Sequence, residues 1–223
     1  MQQTETQWRD ELSRALDVLH NAGGAHLSCY QLTIEDNTPF KIDFENGVFD
    51  LPDEDGGSIL FDVTQQILED AGLPSYEVSN HAKPGDACRH NTHVWQGGMY
   101  AGIGPGAHGR VRTEGAVHAT RRHKPPAQWM KMVAAQGHSG LEDTPLSAQD
   151  RAEEMVMLGL RLSEGLNLAA LEVETGLERV KVISQKTLES LESEGLMECS
   201  SDSLRTTPRG RLVLNAVIEA LLT

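Results

Sequence analysis

Apolar and polar positions in the first third of the chain follow two alternating periods. Helical spacing runs through 4–21 and 58–71, and glycine or proline ends each run. Short runs of β-forming residues, 26–34 and 75–79, follow these helices, and the acid- and glycine-rich stretch 43–55 is typical of a surface loop. Helix, strand, helix, strand is the order of a parallel α/β sheet, so we expect ligand-binding loops beyond the carboxyl ends of the strands.

The rest of the chain predicts a different set of elements. A hairpin is expected through Glu114 and Gly115, followed by a helix over 125–136. Three amphipathic helices, a two-stranded hairpin and a closing helix then describe a winged-helix-like module; they span 147–163, 168–174, 180–194, 196–206 and 207–222. We therefore predict an α/β portion, a hairpin-and-helix connector and the winged-helix-like domain, over 1–110, 111–146 and 147–223.

Composition indicates a folded protein. The 223 residues are 39% hydrophobic, and no apolar run approaches the roughly 20 residues that cross a bilayer. Cys29, Cys88 and Cys199 are scattered, odd in number and without CxxC spacing, which favours a reducing compartment over a disulfide framework. Since the chain starts with polar residues and not with a basic and apolar leader, we expect a cytoplasmic protein.

Charge is distributed unevenly along the chain. The net charge of −14 argues against general binding to nucleic acids or anionic membranes. Between 74 and 140, however, three acids are outnumbered by eight bases, and seven of the nine histidines lie there. A solvated polar face would explain this composition, and so would a pocket for a ligand that carries several carboxylates.

The winged-helix-like domain raises the question of DNA binding. Such modules often lay the last helix before the wing in the major groove. Here that helix would carry Lys181 and Lys186 against four glutamates, and acids exceed bases over the whole domain. Because this balance repels phosphate, we expect no nucleic-acid partner; the domain would pack on the α/β portion or bind another protein.

The segment 76–109 holds most of the candidate chemistry, because it combines histidines, a thiol, closely spaced glycines and a Trp in one loop-rich stretch. Several interpretations are open. The side chains of Cys88, His90, His93 and His108 could bind zinc, although compact zinc sites usually come as two close pairs. They could also make structural hydrogen bonds only. The glycine run does not match the GxGxxG pattern of a dinucleotide fold.

Five ordered blocks identify a family resemblance that runs from about Gln3 to about Ala220. They are QTETQWRDEL, HLSCYQLTIEDNTPF, YEVSNHAKPG, CRHNTHVWQGGMYAGIGPGAHG and EEMVMLGLRLSEGLN…LESEGLMECSSDSLRTTPRGRLVLN. Together they resemble the oxygen-independent coproporphyrinogen III oxidase-like family of radical SAM proteins, and most of all its haem-chaperone branch. The resemblance implies a partial (β/α) barrel over 1–110, followed by the winged-helix-like tail.

In this family a CxxxCxxC motif holds a [4Fe–4S] cluster that acts with S-adenosylmethionine. The chain contains no such motif, and Gln3-Thr4 resembles the end of the family's PGQT block. The resemblance therefore implies a carboxy-terminal half that is inactive in radical chemistry by itself, because the thiolates that hold the cluster are missing. Whether the chain is a natural protein or a fragment stays open.

The resemblance also implies ligand-binding residues. In haem-chaperone members an HNxxYW block is implicated in haem binding; His90, Asn91 and Trp95 match it, while Val94 replaces the Tyr. His90 would be the haem iron ligand, with His93 and Cys88 as weaker candidates, and Arg89 would pair with a propionate. A remnant of the S-adenosylmethionine side would include Tyr30, Glu35, Gly104, Gly106 and Ala107.

The leading functional hypothesis is therefore the handling of haem or a porphyrin, with a haem-receiving protein as partner. One alternative is a true coproporphyrinogen III dehydrogenase, and another is a non-enzymatic interaction module. The resemblance to half of a barrel also leaves the apolar strand 26–34 at an open sheet edge. Because exposed edges promote pairing, we expect a homodimer that covers it.

Overall fold

The structure, a computed structural model, describes residues 3–222. It divides into two compact units, Met1–Cys88 and Arg89–Thr223, each with its own buried apolar residues. No helix among the described residues is long and apolar enough to cross a membrane.

Three helices and three short strands form the first unit. The helices are α1 (Glu5–Asn21), α2 (Pro39–Glu45) and α3 (Glu54–Asp70), and the strands are β1 (His26–Ser28), β2 (Ser75–Glu77) and β3 (Asn80–Ala82). Helix α1 begins with a capping box, in which Thr4 and Gln7 each bind the other's backbone amide. Helix α2 replaces part of the predicted loop 43–55, because Thr38 caps it and Pro39 occupies its first turn.

The sheet of this unit has the order β1-β3-β2, and both pairings are antiparallel. The expected parallel pairing of neighbouring strands is therefore wrong: β1 and β2 run in the same direction, but β3 lies between them. The cause is a tight turn after Glu77, whose buried carboxylate accepts hydrogen bonds from the Ser79 amide, at 2.9 Å, and from the Asn80 side chain. This turn folds the chain back at once and ends β2 earlier than predicted.

The core of the first unit lies between α1 and α3. Leu12, Leu68 and Leu73 are almost fully buried, and Trp8 packs beside them. The indole Nε1 of Trp8 donates to Thr64 Oγ1 at 2.8 Å, which ties α1 to α3.

The second unit begins with helix α4 (Arg89–Trp95) and a three-stranded antiparallel sheet. Strands β4 (His108–Thr113) and β5 (Ala116–Arg122) form the predicted hairpin, and helix α5 (Pro126–Gln136) follows. Glu114 and Gly115 turn the chain with φ of 53° and 88°, the left-handed values of a two-residue hairpin turn. Strand β6 (Gly140–Pro145) then pairs with β5 and was not predicted.

The remaining elements surround a third small sheet, ordered β7-β9-β8. They are α6 (Ala148–Gly159), β7 (Leu166–Asn167), α7 (Leu168–Thr175), a 3₁₀ turn (Arg179–Lys181), α8 (Gln185–Ser193), β8 (Met197–Cys199), β9 (Ser203–Thr206), α9 (Pro208–Leu212) and α10 (Leu214–Leu222). Thr207 caps α9 as predicted, by accepting from the Gly210 amide at 3.0 Å. The prediction of a single closing helix is wrong, because Val213 interrupts it and divides it into α9 and α10.

Apolar side chains from these helices and strands make the core of the second unit. Its most deeply buried members are Ala152, Val156, Leu160, Leu168, Leu171, Leu204, Val217 and Leu221. Since they come from α6 and the residue that follows it, α7, β9 and α10, the core holds this part of the unit together as one packed body.

Candidate functional site

Helix α4 carries the residues that the sequence singles out. Its first two residues, Arg89 and His90, are exposed, and no hydrogen bond or ion pair within 3–222 engages either side chain. Asn91, by contrast, is half-buried and already engaged in a contact. The beginning of α4 therefore presents a guanidinium and an imidazole that are both available to a ligand.

His93 has a structural role in the loop that follows α4. Its ring Nε2 lies 2.8 Å from the Met99 carbonyl oxygen, and the ring packs so closely on Gly98 that an added Cβ would overlap it. The exposed edge of this ring thus offers only Nδ1 to a metal. His90 and His93 look equivalent in the sequence, but the loop commits one of them and leaves the other free.

Trp95 is packed at the end of α4. The guanidinium carbon of Arg161 lies 4.7 Å from the centre of its ring, a cation–π contact that covers one face. The indole Nε1 is buried and has no hydrogen-bond partner among the described residues. Arg161 thus already occupies one face of the indole.

A chain of alternating charges lies behind α4. In order of contact it consists of Arg110 from β4, Glu154 and Arg151 from α6, Glu174 from α7, and Arg112 from β4. Glu154 accepts from Arg110 at 2.6 Å and from Arg151 at 2.6 Å, while Glu174 accepts from Arg112 at 2.7 Å and from Arg151 at 3.3 Å. We call these five residues the arginine network.

The arginine network reaches α4 through Arg151. The side chain of Arg151 is only 4% exposed, and one of its terminal nitrogens donates to the carbonyl oxygen of Gly97. No local pattern predicts this contact, because its partners lie far apart along the chain. The one available hint was an arginine at an otherwise apolar position of an amphipathic helix, which requires buried partners.

Gly102, Gly104 and Gly106, in the glycine run after α4, have different surroundings. Tyr100 and Arg110 pair through two backbone hydrogen bonds of 2.7 and 2.8 Å, and any side chain at Gly102 would overlap the His108 carbonyl. Gly102 thus permits a close approach of two backbone segments. Gly104, by contrast, has open space where a side chain would stand, and Gly106 contacts Lys124.

The predicted excess of positive charge is partly neutralised inside the second unit. Arg121 binds Glu142 at 2.5 Å and His118 lies 2.6 Å from Asp143, both on strand β6. Arg110 and Arg112 are paired in the arginine network. Since these three arginines already have carboxylate partners, only part of the basic segment is available to an acidic ligand.

The first unit contains a separate cavity of about 450 Å³. Its walls are mainly apolar and aromatic, and they include Trp8, Tyr30, Phe49, Phe61 and His81. Cys29 also lines it, and burial raises the pKa of this thiol above its usual value. Tyr30 is otherwise highly exposed, and Glu35 is exposed in the loop before α2.

Among residues 3–222, no group of three or more His, Cys, Asp or Glu side chains is close enough to hold a metal ion. Cys88, His90, His93 and His108 are therefore not gathered into a zinc site. The three cysteines likewise make no thiolate set for an iron–sulfur cluster, and the chain lacks the CxxxCxxC motif.

The chain is similar in sequence to a known family model and to several curated proteins. A family model described as the HemN C-terminal domain matches residues 146–213. Mitochondrial radical S-adenosyl methionine domain-containing protein 1 of Bos taurus is 33% identical over 217 residues, which cover 94% of this chain and 49% of the relative. The heme chaperone HemW of Escherichia coli is 36% identical over 198 residues, which cover 88% of this chain and 50% of the relative.

A solved structure shares the fold. Coproporphyrinogen III oxidase (HemN) from Escherichia coli, described as a radical SAM enzyme, superposes with a TM-score of 0.76 and 17% identity. The match covers 99% of this chain and 52% of that protein. It shows an α/β fold in common, and the chain spans about half the length of the curated relatives that it matches.

Proposed function

Because the chain belongs to the coproporphyrinogen III oxidase-like family of radical SAM proteins, as the half that carries the HemN C-terminal domain, we propose that it binds haem or a related porphyrin. In this proposal it acts as part of a haem chaperone that delivers its cargo to a receiving protein. The HemW relatives are described as heme chaperones, which supports the choice of ligand.

The observation that carries the proposal is the free pair Arg89 and His90 at the start of α4. A neutral imidazole is a common ligand of haem iron, and a guanidinium pairs well with the carboxylate of a propionate. Trp95, which is half-buried, adds an aromatic ring at the other end of the helix. These residue types fit a tetrapyrrole that carries both iron and carboxylates.

His90 is preferred over the other candidate iron ligands. His93 is held by the Met99 carbonyl and by Gly98, and Cys88 is half-buried. An exposed imidazole without a protein partner loses no internal contact when it binds iron. The cost of ligation is therefore lowest at His90.

A haemin titration tests the assignment. We expect His90→Ala to weaken haemin binding at least about 10-fold and to change the Soret band, because an axial ligand is lost. The matched control is His20→Ala, which removes an exposed histidine from the other unit. Equal spectra and affinities for the two variants would dismiss His90 as the ligand.

The alternative function is a coproporphyrinogen III dehydrogenase, favoured by the fold shared with HemN. Its substrate contains no iron, so His90 would have no metal to ligate, whereas Arg89 would keep its role toward a propionate. The residues of this chain do not fit a [4Fe–4S] cluster, because the sequence contains no CxxxCxxC motif. Tyr30, Glu35, Gly104, Gly106 and Ala107 remain candidates for contact with S-adenosylmethionine.

The finer architecture is also part of the proposal. We infer that 1–110 is a portion of a (β/α) barrel and that 147–223 is a winged-helix-like domain. Three helices packed on the β7-β9-β8 sheet support the second inference. Acids outnumber bases in this domain, so a protein surface suits it better than nucleic acid. The scattered cysteines favour a cytoplasmic location.

A further inference from the structure

Arg151 joins three elements of the second unit through three different nitrogens. Its Nε donates to Glu174 of α7, one terminal nitrogen donates to Glu154 of its own helix, and the other donates to the Gly97 carbonyl just beyond α4. All these contacts lie within Arg89–Thr223. Such a forked arrangement uses all three nitrogens of the planar guanidinium, and a lysine could not reproduce it.

The contact with Gly97 is sterically close as well as polar. Gly97 is buried, has φ of 77°, and a Cβ there would lie 3.1 Å from the Met155 side chain and 3.3 Å from Arg151. Helix α6 therefore packs directly on the point where the chain leaves α4. A shift of either element would break the hydrogen bond of the buried guanidinium, which is costly.

The segment after α4 is fastened at two further points. His93 holds the Met99 carbonyl, and the backbone of Tyr100 pairs with Arg110 on β4. Arg110 in turn binds Glu154, so the same network fixes the strand to which the segment is paired. The end of α4 is thus linked to β4 and α6 by one connected set of hydrogen bonds.

Buried ion pairs of this kind are weak evidence for stability, because desolvation offsets much of their attraction. Their better attested use is to select one arrangement among several. Three arginines and two glutamates also leave one positive charge in excess, which a network built for neutralisation alone would not require. Arg151 uses the nitrogen that faces no glutamate to donate a hydrogen bond to the Gly97 carbonyl.

We propose that Arg151 is a positioning residue for α4: through Gly97 it sets the orientation in which the helix presents Arg89 and His90 to the ligand. The HemN C-terminal domain, to which Arg151 belongs, would then control the geometry of the ligand-binding helix. Where it concerns the ligand, this inference rests on the proposed function.

The test uses the full chain with the substitutions Arg151→Gln, Arg151→Lys and Arg112→Gln. Arg112→Gln removes an ion pair at the exposed end of the same network but leaves the contact between Arg151 and Gly97 intact. For each variant, hydrogen–deuterium exchange is measured without ligand over 89–100 and over the β8–β9 hairpin, and haemin is then titrated to saturation.

We expect Arg151→Gln to speed exchange over 89–100 while the β8–β9 hairpin stays protected. Haemin affinity should fall about 10-fold, as for residues that orient a ligand, and the Soret band at saturation should change. Arg151→Lys should restore part of both effects, because an ammonium can still donate to the Gly97 carbonyl. Arg112→Gln should behave like the unmodified chain.

Two results would overturn the inference. One is unchanged exchange over 89–100 and an unchanged Soret band in Arg151→Gln. The other is faster exchange everywhere, equal in Arg151→Gln and Arg151→Lys, which would indicate a general loss of stability. If the unmodified chain binds no haemin, the proposed function fails, and the exchange data still decide whether Arg151 orients α4.

Discussion

At the residue scale, the function of a side chain depends on whether the fold has already used it. His90 and His93 are three positions apart on one helix, and the sequence pattern gives them similar weight. The loop after α4 makes them different: the His93 ring packs on Gly98 and contacts the Met99 carbonyl, whereas His90 stays exposed. A sequence shows which residues can bind iron but not which of them is engaged elsewhere.

Gly98→Ala tests this separation of roles. The new methyl group should push the His93 ring away from the Met99 carbonyl, because the two would overlap. We expect the NMR signals of the His93 ring to shift while haemin affinity stays unchanged. A loss as large as that of His90→Ala would instead show that haemin binding depends on how His93 is held.

Glu172 and Arg179 predict a pH effect on stability. Arg179 donates hydrogen bonds to the carboxylate of Glu172, and its Nε lies 2.8 Å from Glu172 Oε1. These hydrogen bonds, together with the positive charge of Arg179, lower the pKa of Glu172 below its usual value. A carboxyl with a lowered folded pKa stabilises the protein above its unfolded pKa, and this contribution disappears as the pH falls through the folded pKa.

The measurement is urea unfolding of the unmodified chain and of Glu172→Gln. At neutral pH we expect the variant to be less stable, and the two midpoints should converge as the pH falls below the ordinary glutamate range. A difference that persists in acid would mean that the ion pair is not its source.

At the element scale, an element that adjacent residues encode could be predicted, whereas strands that pair with distant parts of the chain could not. The hairpin of β4 and β5 followed from Glu114 and Gly115, whose left-handed turn is encoded by adjacent residues. Strand β6 carries mostly exposed polar residues, which suit an edge strand but lack the apolar alternation that identifies one. Strand β3 has only three residues, too few to show a period.

Two glycines allow a comparison of backbone strain and crowding. Gly165 and Gly176 have φ of 81° and 69°, but only at Gly165 would a side chain overlap the Leu204 carbonyl and Arg205. We expect Gly176→Ala to cost about 1 kcal/mol of unfolding free energy, the cost of a left-handed alanine. Gly165→Ala should cost about 1–3 kcal/mol more through overpacking.

Denaturant unfolding of both variants measures the difference directly. Equal losses would show that the contact between Gly165 and β9 relaxes without cost.

At the scale of the whole molecule, ordered sequence blocks identified the family, and the comparisons confirm it. The motif residues of 89–95 were singled out from the sequence, but the segment was expected to be a loop and forms helix α4. The arginine network was not predicted, because Arg151 and Gly97 are 54 positions apart and no local period links them. The positive charge that the segment 74–140 offers to a ligand was overestimated for a similar reason, since its carboxylate partners lie on β6 and beyond.

A homodimer remains a prediction at this scale. Strand β1 lies at one end of its sheet, and Tyr30, Leu32, Phe40 and Ile42 expose apolar surface in the same unit. Such surface and an open strand edge favour pairing with a second copy. Sedimentation equilibrium at micromolar concentration should give twice the chain mass, and a monomer throughout would contradict the prediction.

The central claim is that the iron of a bound haem is ligated by His90, and paired titrations with haemin and with metal-free porphyrin test it most directly. We predict that His90→Ala loses affinity for haemin but keeps its affinity for the metal-free ring, whose carboxylates still meet Arg89. If His90→Ala binds both ligands as tightly as the unmodified chain does, the claim is wrong.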